Sequence, residues 1–204
     1  MSNCFAVSRT ILNDLDFSDF FPVMGYRHLD NILKQYIILP QAKLNRHPES
    51  YLNLVSFAVV RWHDKVLAVL KGNGDLVLGF GGACMYEQAR RDESIKGTAI
   101  DTIHRELDRY IPNVGYHISI NGLIHSQDRL YDRANIGCFF NVDITDASMR
   151  PRLLGERIVY FAAMEKMTAC HVRGWSKNIA RMICSSAIKE SQLVVSNSRI
   201  IRAA

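Results

Sequence analysis

The sequence has no apolar run approaching the roughly 20 residues that a helix needs to cross a bilayer. No helical membrane span is therefore expected, and a membrane is not an expected partner. The first stretch, MSNCFAVSRTILNDLDF, mixes acids with its apolar residues and has no basic region ahead of them, unlike a secretory signal. The five cysteines, Cys4, Cys84, Cys138, Cys170 and Cys184, are odd in number and widely spaced. With no C-x-x-C pair, reduced thiols in a cytoplasmic protein are the expectation, and a zinc site is argued against. No internal repeat or low-complexity segment is present. No Gly-x-Ser-x-Gly elbow, Walker loop or His-Glu-x-x-His motif offers a serine-hydrolase, P-loop or zincin chemistry.

What is present is ordinary for a globular domain: 48% hydrophobic residues and 22% charged ones in 204 residues. That length suits one domain, or a domain with a small appendage. The net charge of +5 is unevenly placed, with +7 from Arg150 onward and −2 before it. A basic C-terminal segment attracts phosphates; a solvated helix face is the commoner origin of such a bias. A nucleic-acid partner and an oligomer both stay open.

In chain order, Leu29, Ile32, Leu33 and Tyr36 fit a helix with Asp30 near its start. The Phe20-Phe21-Pro22 cluster before it is expected to plug a core. Pro40 and Pro48 bracket a connecting segment, QAKLNRH. Residues 1–50 read as an extension packed on the main domain, since no linker composition separates them. The nearly continuous run YLNLVSFAVVRW (51–62) predicts a buried strand. His63-Asp64 would turn it into a second strand, KVLAVL (65–70), and Gly72-Asn73-Gly74-Asp75 into a third, LVL (76–78). Residues 116–125 alternate, with Ile118, Ile120 and Ile124 assigned to one face, and 136–142 predict a further strand. Residues 147–154 read as a connector, and 156–166 and 168–189 as helices. In the second helix Trp175, Ile179, Met182 and Ile183 form an apolar stripe, which makes Trp175 a core residue.

The organising stretch is residues 76–110. An apolar strand enters a glycine turn (Gly79, Gly81, Gly82), a polar loop follows, and then a helical pattern. Ile100, Ile103, Leu107 and Ile111 make one apolar stripe, leaving Thr102, Glu106 and Arg109 on another face. Glycine lets a backbone come close to a ligand, because no Cβ intervenes.

A strand, a glycine turn, a loop and a helix carrying Arg105-Glu106-Leu107 resemble the signature of the Nudix hydrolases. A wider likeness runs from Val7-Ser8-Arg9 through Leu39-Pro40 and Arg46…Glu49 to Phe80-Gly81-Gly82 and Gly174-Trp175-Ser176-Lys177. It is similar to a bacterial Nudix branch described as predicted phosphoesterases. The resemblance implies a Nudix-like α/β/α sandwich with a mixed sheet, as one domain over residues 1–204. Residues 1–50 would be the extension, 51–146 the sheet and Nudix-box core, and 147–204 a C-terminal helical region. It also implies hydrolysis of phosphorylated compounds with Mg²⁺ held by helix glutamates.

The chain departs from the family pattern where the chemistry should be. Counted from Arg105, the first Gly falls on Arg91, the first Glu on Gly97, the Glu-Glu pair on Arg109 and Tyr110, and the closing Gly on Pro112. Ala83 stands where the branch has His. Mg²⁺ takes hard oxygen ligands, and a guanidinium cannot replace a carboxylate. Glu106 is the candidate catalytic residue and, with Glu93, the candidate ligand of a weakly held Mg²⁺. Its structural alternative is an i,i+3 ion pair with Arg109. Gly81, Gly82, Arg105 and Arg109 are the candidate ligand-binding residues, although Arg105 would pair equally well with Asp101. Glu87 and Asp92 in the loop, and His125, Asp128 and Asp132 near a strand end, are weaker candidates. Three readings follow: a degenerate Nudix-like protein that binds a nucleotide or other phosphorylated ligand with weak or no hydrolysis, an active Mg²⁺-dependent phosphoesterase, and a non-catalytic interaction or assembly subunit.

Overall fold

The computed structural model describes residues 2–13, 23–24, 26–86, 95–126, 133–145, 152–154, 157–163 and 175–184. Its central strand is Tyr51–Trp62. Leu52, Leu54, Ala58 and Val60 enter one apolar cluster, and Val55, Phe57 and Val59 enter a second on the opposite face. Burial on both faces is why the run is continuously apolar rather than alternating.

Numbered in chain order, the strands are β1 (Asn3–Ser8), β2 (Val23–Met24), β3 (Ile37–Pro40), β4 (Tyr51–Trp62), β5 (Lys65–Leu70), β6 (Leu76–Leu78), β7 (Phe80–Ala83), β8 (Tyr116–Ile124), β9 (Asn135–Ile144), β10 (Arg152–Leu154) and β11 (Arg157–Ala163). One edge of β4 pairs in parallel with β9, from Asn53↔Asn135 to Arg61↔Asp143. Its other edge is divided among three antiparallel partners: β1 near the start, β7 in the middle and β5 at the end. The remaining pairings are antiparallel, so the sheet is mixed.

Helix α3 (Ile95–Tyr110) packs on β7 and β4, and α1 (Tyr26–Lys34) on β8. The expected α3 stripe is in place: Ile103, Leu107 and Ile111 are buried, and Ile100 packs against them. On the opposite face, α4 (Trp175–Cys184) seats Trp175 and Ile179 in the second cluster. Trp175 stands edge-on to Phe57, with ring centroids 5.2 Å apart. Gly137 makes room for the indole, since a Cβ there would lie 3.1 Å from it and 2.6 Å from Ile124 Cγ2. The result is an α/β/α sandwich.

Several expectations need correction. Residues 157–163 form β11 rather than part of a helix. The run RIVYFAA is rich in β-branched and aromatic residues, and it completes the open edge of β5 from Ile158↔Leu70 to Ala163↔Lys65. The presumed connector 147–154 contains β10. Gly81 and Gly82 lie in strand β7, and only Gly79, at φ 82°, makes the bend. QAKLNR is a short helix, α2 (Gln41–Arg46), with Pro40 as its N-cap. A proline before the first helical residue costs the helix no hydrogen bond. Tyr36 lies beyond α1 and is exposed. Ile124 faces away from Ile118 and Ile120, because a bulge between Ile120 and Gly122 inserts one residue and flips the alternation. Residues 1–50 contribute β1, β2 and β3 to the main sheet. The Phe20-Phe21-Pro22 cluster and residues 185–204 lie outside the described residues, and nothing is described of the Met182 and Ile183 side chains.

Trp175 fills the space between α4 and the sheet at 3% exposure. Trp175→Ala should destabilise the fold by about 3–5 kcal/mol, as large-to-small core changes do. Urea denaturation checks this; an unchanged midpoint would show that the indole is not a core element.

Candidate functional site

The site is built where β7 passes beneath α3. Gly79 lets the chain leave β5 and join β4, since a Cβ there would sit 2.5 Å from the Ala58 carbonyl oxygen. At Gly81 a Cβ would land on the Ser56 carbonyl oxygen. At Gly82 it would meet Thr102 Cγ2 at 3.4 Å and Glu106 Cγ and Oε1 at 3.7 Å. The strand thus lies directly against the Thr102–Glu106 face of the helix, as the spacing of those residues implies. Among the described residues β7 pairs only with β4 and leaves its other edge open, and Gly81 is exposed there.

Below this edge one buried hydroxyl, that of Ser56, ties the helix to the sheet, and a second, that of Thr102, bonds within the helix. Ser56 Oγ donates to the Ala99 carbonyl at 2.7 Å and lies 3.3 Å from Cys84 Sγ. Thr102 Oγ1 donates to the Thr98 carbonyl at 2.8 Å. Burial pushes the Cys84 thiol up to about 11, against the opposing hydrogen bond with Ser56 and the charge of Arg105. Cys84 is therefore a protonated, inert thiol at neutral pH. Sequence reasoning passed over Ser56, although its signal was available: it is a hydroxyl in the middle of the apolar run LVSFAVV.

Glu106 is mostly covered, its side chain 14% exposed, and both its oxygens accept from Arg109 Nη1, at 3.2 and 3.4 Å. The Arg109 side chain is 71% exposed. Tyr110, at the position of the second expected glutamate, packs on Phe80 with ring centroids 5.4 Å apart. It is a packing residue, and its apolar partner explains why a carboxylate there would be poorly accommodated. Arg105 is exposed. Thus Gly82, Glu106 and Arg109 come together, Gly81 adjoins them on the strand, and Glu93 lies outside the described residues, as do Glu87, Asp92, Asp128 and Asp132.

The implied Mg²⁺ does not fit the described donors. Among them no three His, Cys, Asp or Glu side chains cluster to hold a metal ion, and Glu106 is already neutralised by Arg109. The exposed charges at this face are the guanidiniums of Arg105 and Arg109. His125 is not part of it. It is buried, and its Nδ1 meets the Asn135 carbonyl oxygen at 2.8 Å.

The fold is that of the Nudix hydrolases. The chain is similar in structure to Tm1382, a proposed Nudix hydrolase, with a TM-score of 0.69 over 89% of this chain and 97% of that one, at 18% identity. It overlaps more loosely with DR0079 from Deinococcus radiodurans (TM-score 0.46, 13% identity, 81% of this chain and 99% of that one). The MutT protein from Bacillus halodurans gives a TM-score of 0.39 at 17% identity, over 66% of this chain and 84% of that one. No family model matches the sequence, and no curated protein matches it.

Two predictions follow from the packing. Gly81→Ala should destabilise the protein by about 1–3 kcal/mol or more, because its Cβ collides with backbone. Gly82→Ala should melt close to wild type, because its Cβ meets only ordinary contacts; equal losses in the two variants would contradict this geometry. The second prediction concerns pH. Burial pushes His125 below the ordinary imidazole value, the hydrogen bond to Asn135 works the other way, and the charge of Arg9 adds to the lowering. The unfolded chain therefore takes the proton more readily. The contribution is present above pH about 6.5 and is lost as pH falls through the folded-state value. His125→Gln should flatten the acid-side decline of the melting temperature; an unchanged slope would assign that decline to another group.

Proposed function

We propose that this chain is a degenerate Nudix-fold protein that binds a nucleotide or another phosphorylated ligand, with weak or no hydrolysis. The observation that carries this reading is the Glu106–Arg109 pair. Arg109 occupies a position where the family pattern has a metal-binding glutamate, and it holds the remaining glutamate at 3.2 Å. An i,i+3 helix pair, here made by an Arg109 side chain that is 71% exposed, is worth about 0.2–0.5 kcal/mol. A charge-assisted contact to an anion is worth about 1.5–3 kcal/mol. An arriving phosphate therefore outcompetes Glu106 for Arg109 at little cost. Glycine on an open strand edge lets phosphate oxygens approach the backbone, and Arg105 adds a second exposed cation. Glu106 is the residue on which residual hydrolysis would depend.

The test is titration of pyrophosphate and of ADP into wild type, Arg109→Ala and Arg109→Glu, in the presence of chelator. Loss of the contact should weaken binding at least tenfold, since about 1.4 kcal/mol is one decade. Arg109→Glu should also gain Mg²⁺ affinity, because it places a second carboxylate one turn from Glu106. Mg²⁺-dependent turnover by wild type with ligand affinity indifferent to residue 109 would replace this reading with an active phosphoesterase. No binding and no turnover, together with a stable partner or oligomer, would favour the interaction-subunit reading.

A further inference from the structure

The chain contains two Asn-Gly steps: Asn73-Gly74 in the turn between β5 and β6, and Asn121-Gly122 within β8. Such a step has a chemistry of its own. Bonding the glycine nitrogen to the asparagine side-chain carbon closes a five-membered imide, and glycine has no side chain to obstruct the closure. Whether the ring forms in the folded protein depends on what surrounds each step.

Around Asn73 the side chain is already folded onto the attacking group. The Asp75 N–H donates to Asn73 Oδ1 at 3.1 Å, an Asx-turn that wraps the side chain back across the Gly74 peptide. The same N–H faces the oxygen on which negative charge develops during attack, as an oxyanion donor does. Asn73 Nδ2, the leaving nitrogen, donates to Asp75 Oδ2 at 3.1 Å. Asn73 and Gly74 are exposed, and a Cβ on Gly74 would meet nothing within 4 Å, so the ring has room to form. One bond works against the reaction: the Gly74 N–H donates to the Lys71 carbonyl at 2.9 Å. It lies in an exposed turn, where opening costs far less than in a core strand.

Asn121 is held differently. It is the extra residue of the β8 bulge, half-buried, and the pairs Ile120↔Phe140 and Gly122↔Phe139 fix the backbone on both sides of it. Closing a ring there requires opening β8 away from β9.

We propose that Asn73 is a self-modifying site that deamidates without an enzyme through a cyclic imide, and that the β8–β9 ladder protects Asn121 from the same reaction. The Gly74 nitrogen gives up its proton and attacks Asn73 Cγ. The N–Cγ bond forms, the Cγ–Nδ2 bond breaks, and Nδ2 takes up a proton and leaves as ammonia. Water then opens one of the two imide carbonyls. Opening at one restores the ordinary main chain with an aspartate side chain at position 73. Opening at the other routes the main chain through the side-chain carbon, as an isoaspartyl linkage. Nothing is oxidised or reduced; the net change is one amide hydrolysed by one water. Either product sets a second carboxylate beside that of Asp75. This site does not depend on the anion-binding reading above.

The experiment incubates the full chain at neutral and at mildly alkaline pH and follows both asparagines by peptide mass mapping, with an isoaspartyl methyltransferase reporting the rearranged product. In the folded protein Asn73 should convert about tenfold or more faster than Asn121, since a difference of about 1.4 kcal/mol in local opening is one decade. Conversion should quicken at the higher pH, because the attacking nitrogen must lose its proton. In urea the two sites should convert at similar rates, because no ladder then distinguishes them. Asn73→Gln, which would need a larger ring, should stay intact at that position, and its melting curve shows that it is folded. Equal conversion of both sites in the folded protein, conversion of neither, or a preference for Asn73 that persists undiminished in urea would each overturn the proposal.

Discussion

The division of one edge of β4 among three partners is the constraint on which the rest of the structure depends. Nine of the twelve residues of β4 are paired with β9 on one edge, and the other edge receives β1, β7 and β5 in succession. β6 and β7 are nearly continuous in sequence, yet β6 pairs with β5 and β7 with β4. Only a residue without a Cβ passes between them, because Gly79 has positive φ and lies against the Ala58 carbonyl. That single bend puts Gly82 under α3, and β1 places Phe5 beside the exit of β7. The glycine edge and the contact of Phe5 with Tyr86 both follow from how β4 is shared.

The same placement decides which chemistry the helix offers. The apolar stripe fixes the rotation of α3, and that rotation presents Glu106 to the strand and sends Arg109 outward to solvent. With Tyr110 turned onto Phe80, the face holds one carboxylate and one guanidinium within ion-pair distance. A carboxylate paired in this way has little attraction left for a cation, and the exposed end of the pair is positive. The fold is the Nudix one, and on the proposed reading this face receives an anionic ligand.

Much of the framework was legible because its signals were local. The continuous run of β4, the turn at His63-Asp64 and the α3 stripe each follow from short-range pattern, and each was found where expected. The side of α3 that carries Glu106 was readable for the same reason. What was not legible depended on distant partners. RIVYFAA fits both a helix and a strand until the open edge of β5 decides it. Ile124 changed face because of one inserted residue at a bulge. Tyr36, Phe5 and Tyr86 carry no sequence signal of adjacency, since β1 alone brings them together. The Arg109 substitution was visible in the sequence; its contact with both oxygens of Glu106 needed the helix geometry.

The central claim is that a guanidinium has taken over the work of a metal ion in holding phosphate at this helix. Its most direct measurement is the affinity of wild-type protein for pyrophosphate with excess chelator and again with saturating Mg²⁺. Binding that persists in chelator, with no gain on adding Mg²⁺ and no product, is the predicted result. Binding that appears only with Mg²⁺ and is accompanied by turnover would contradict the account.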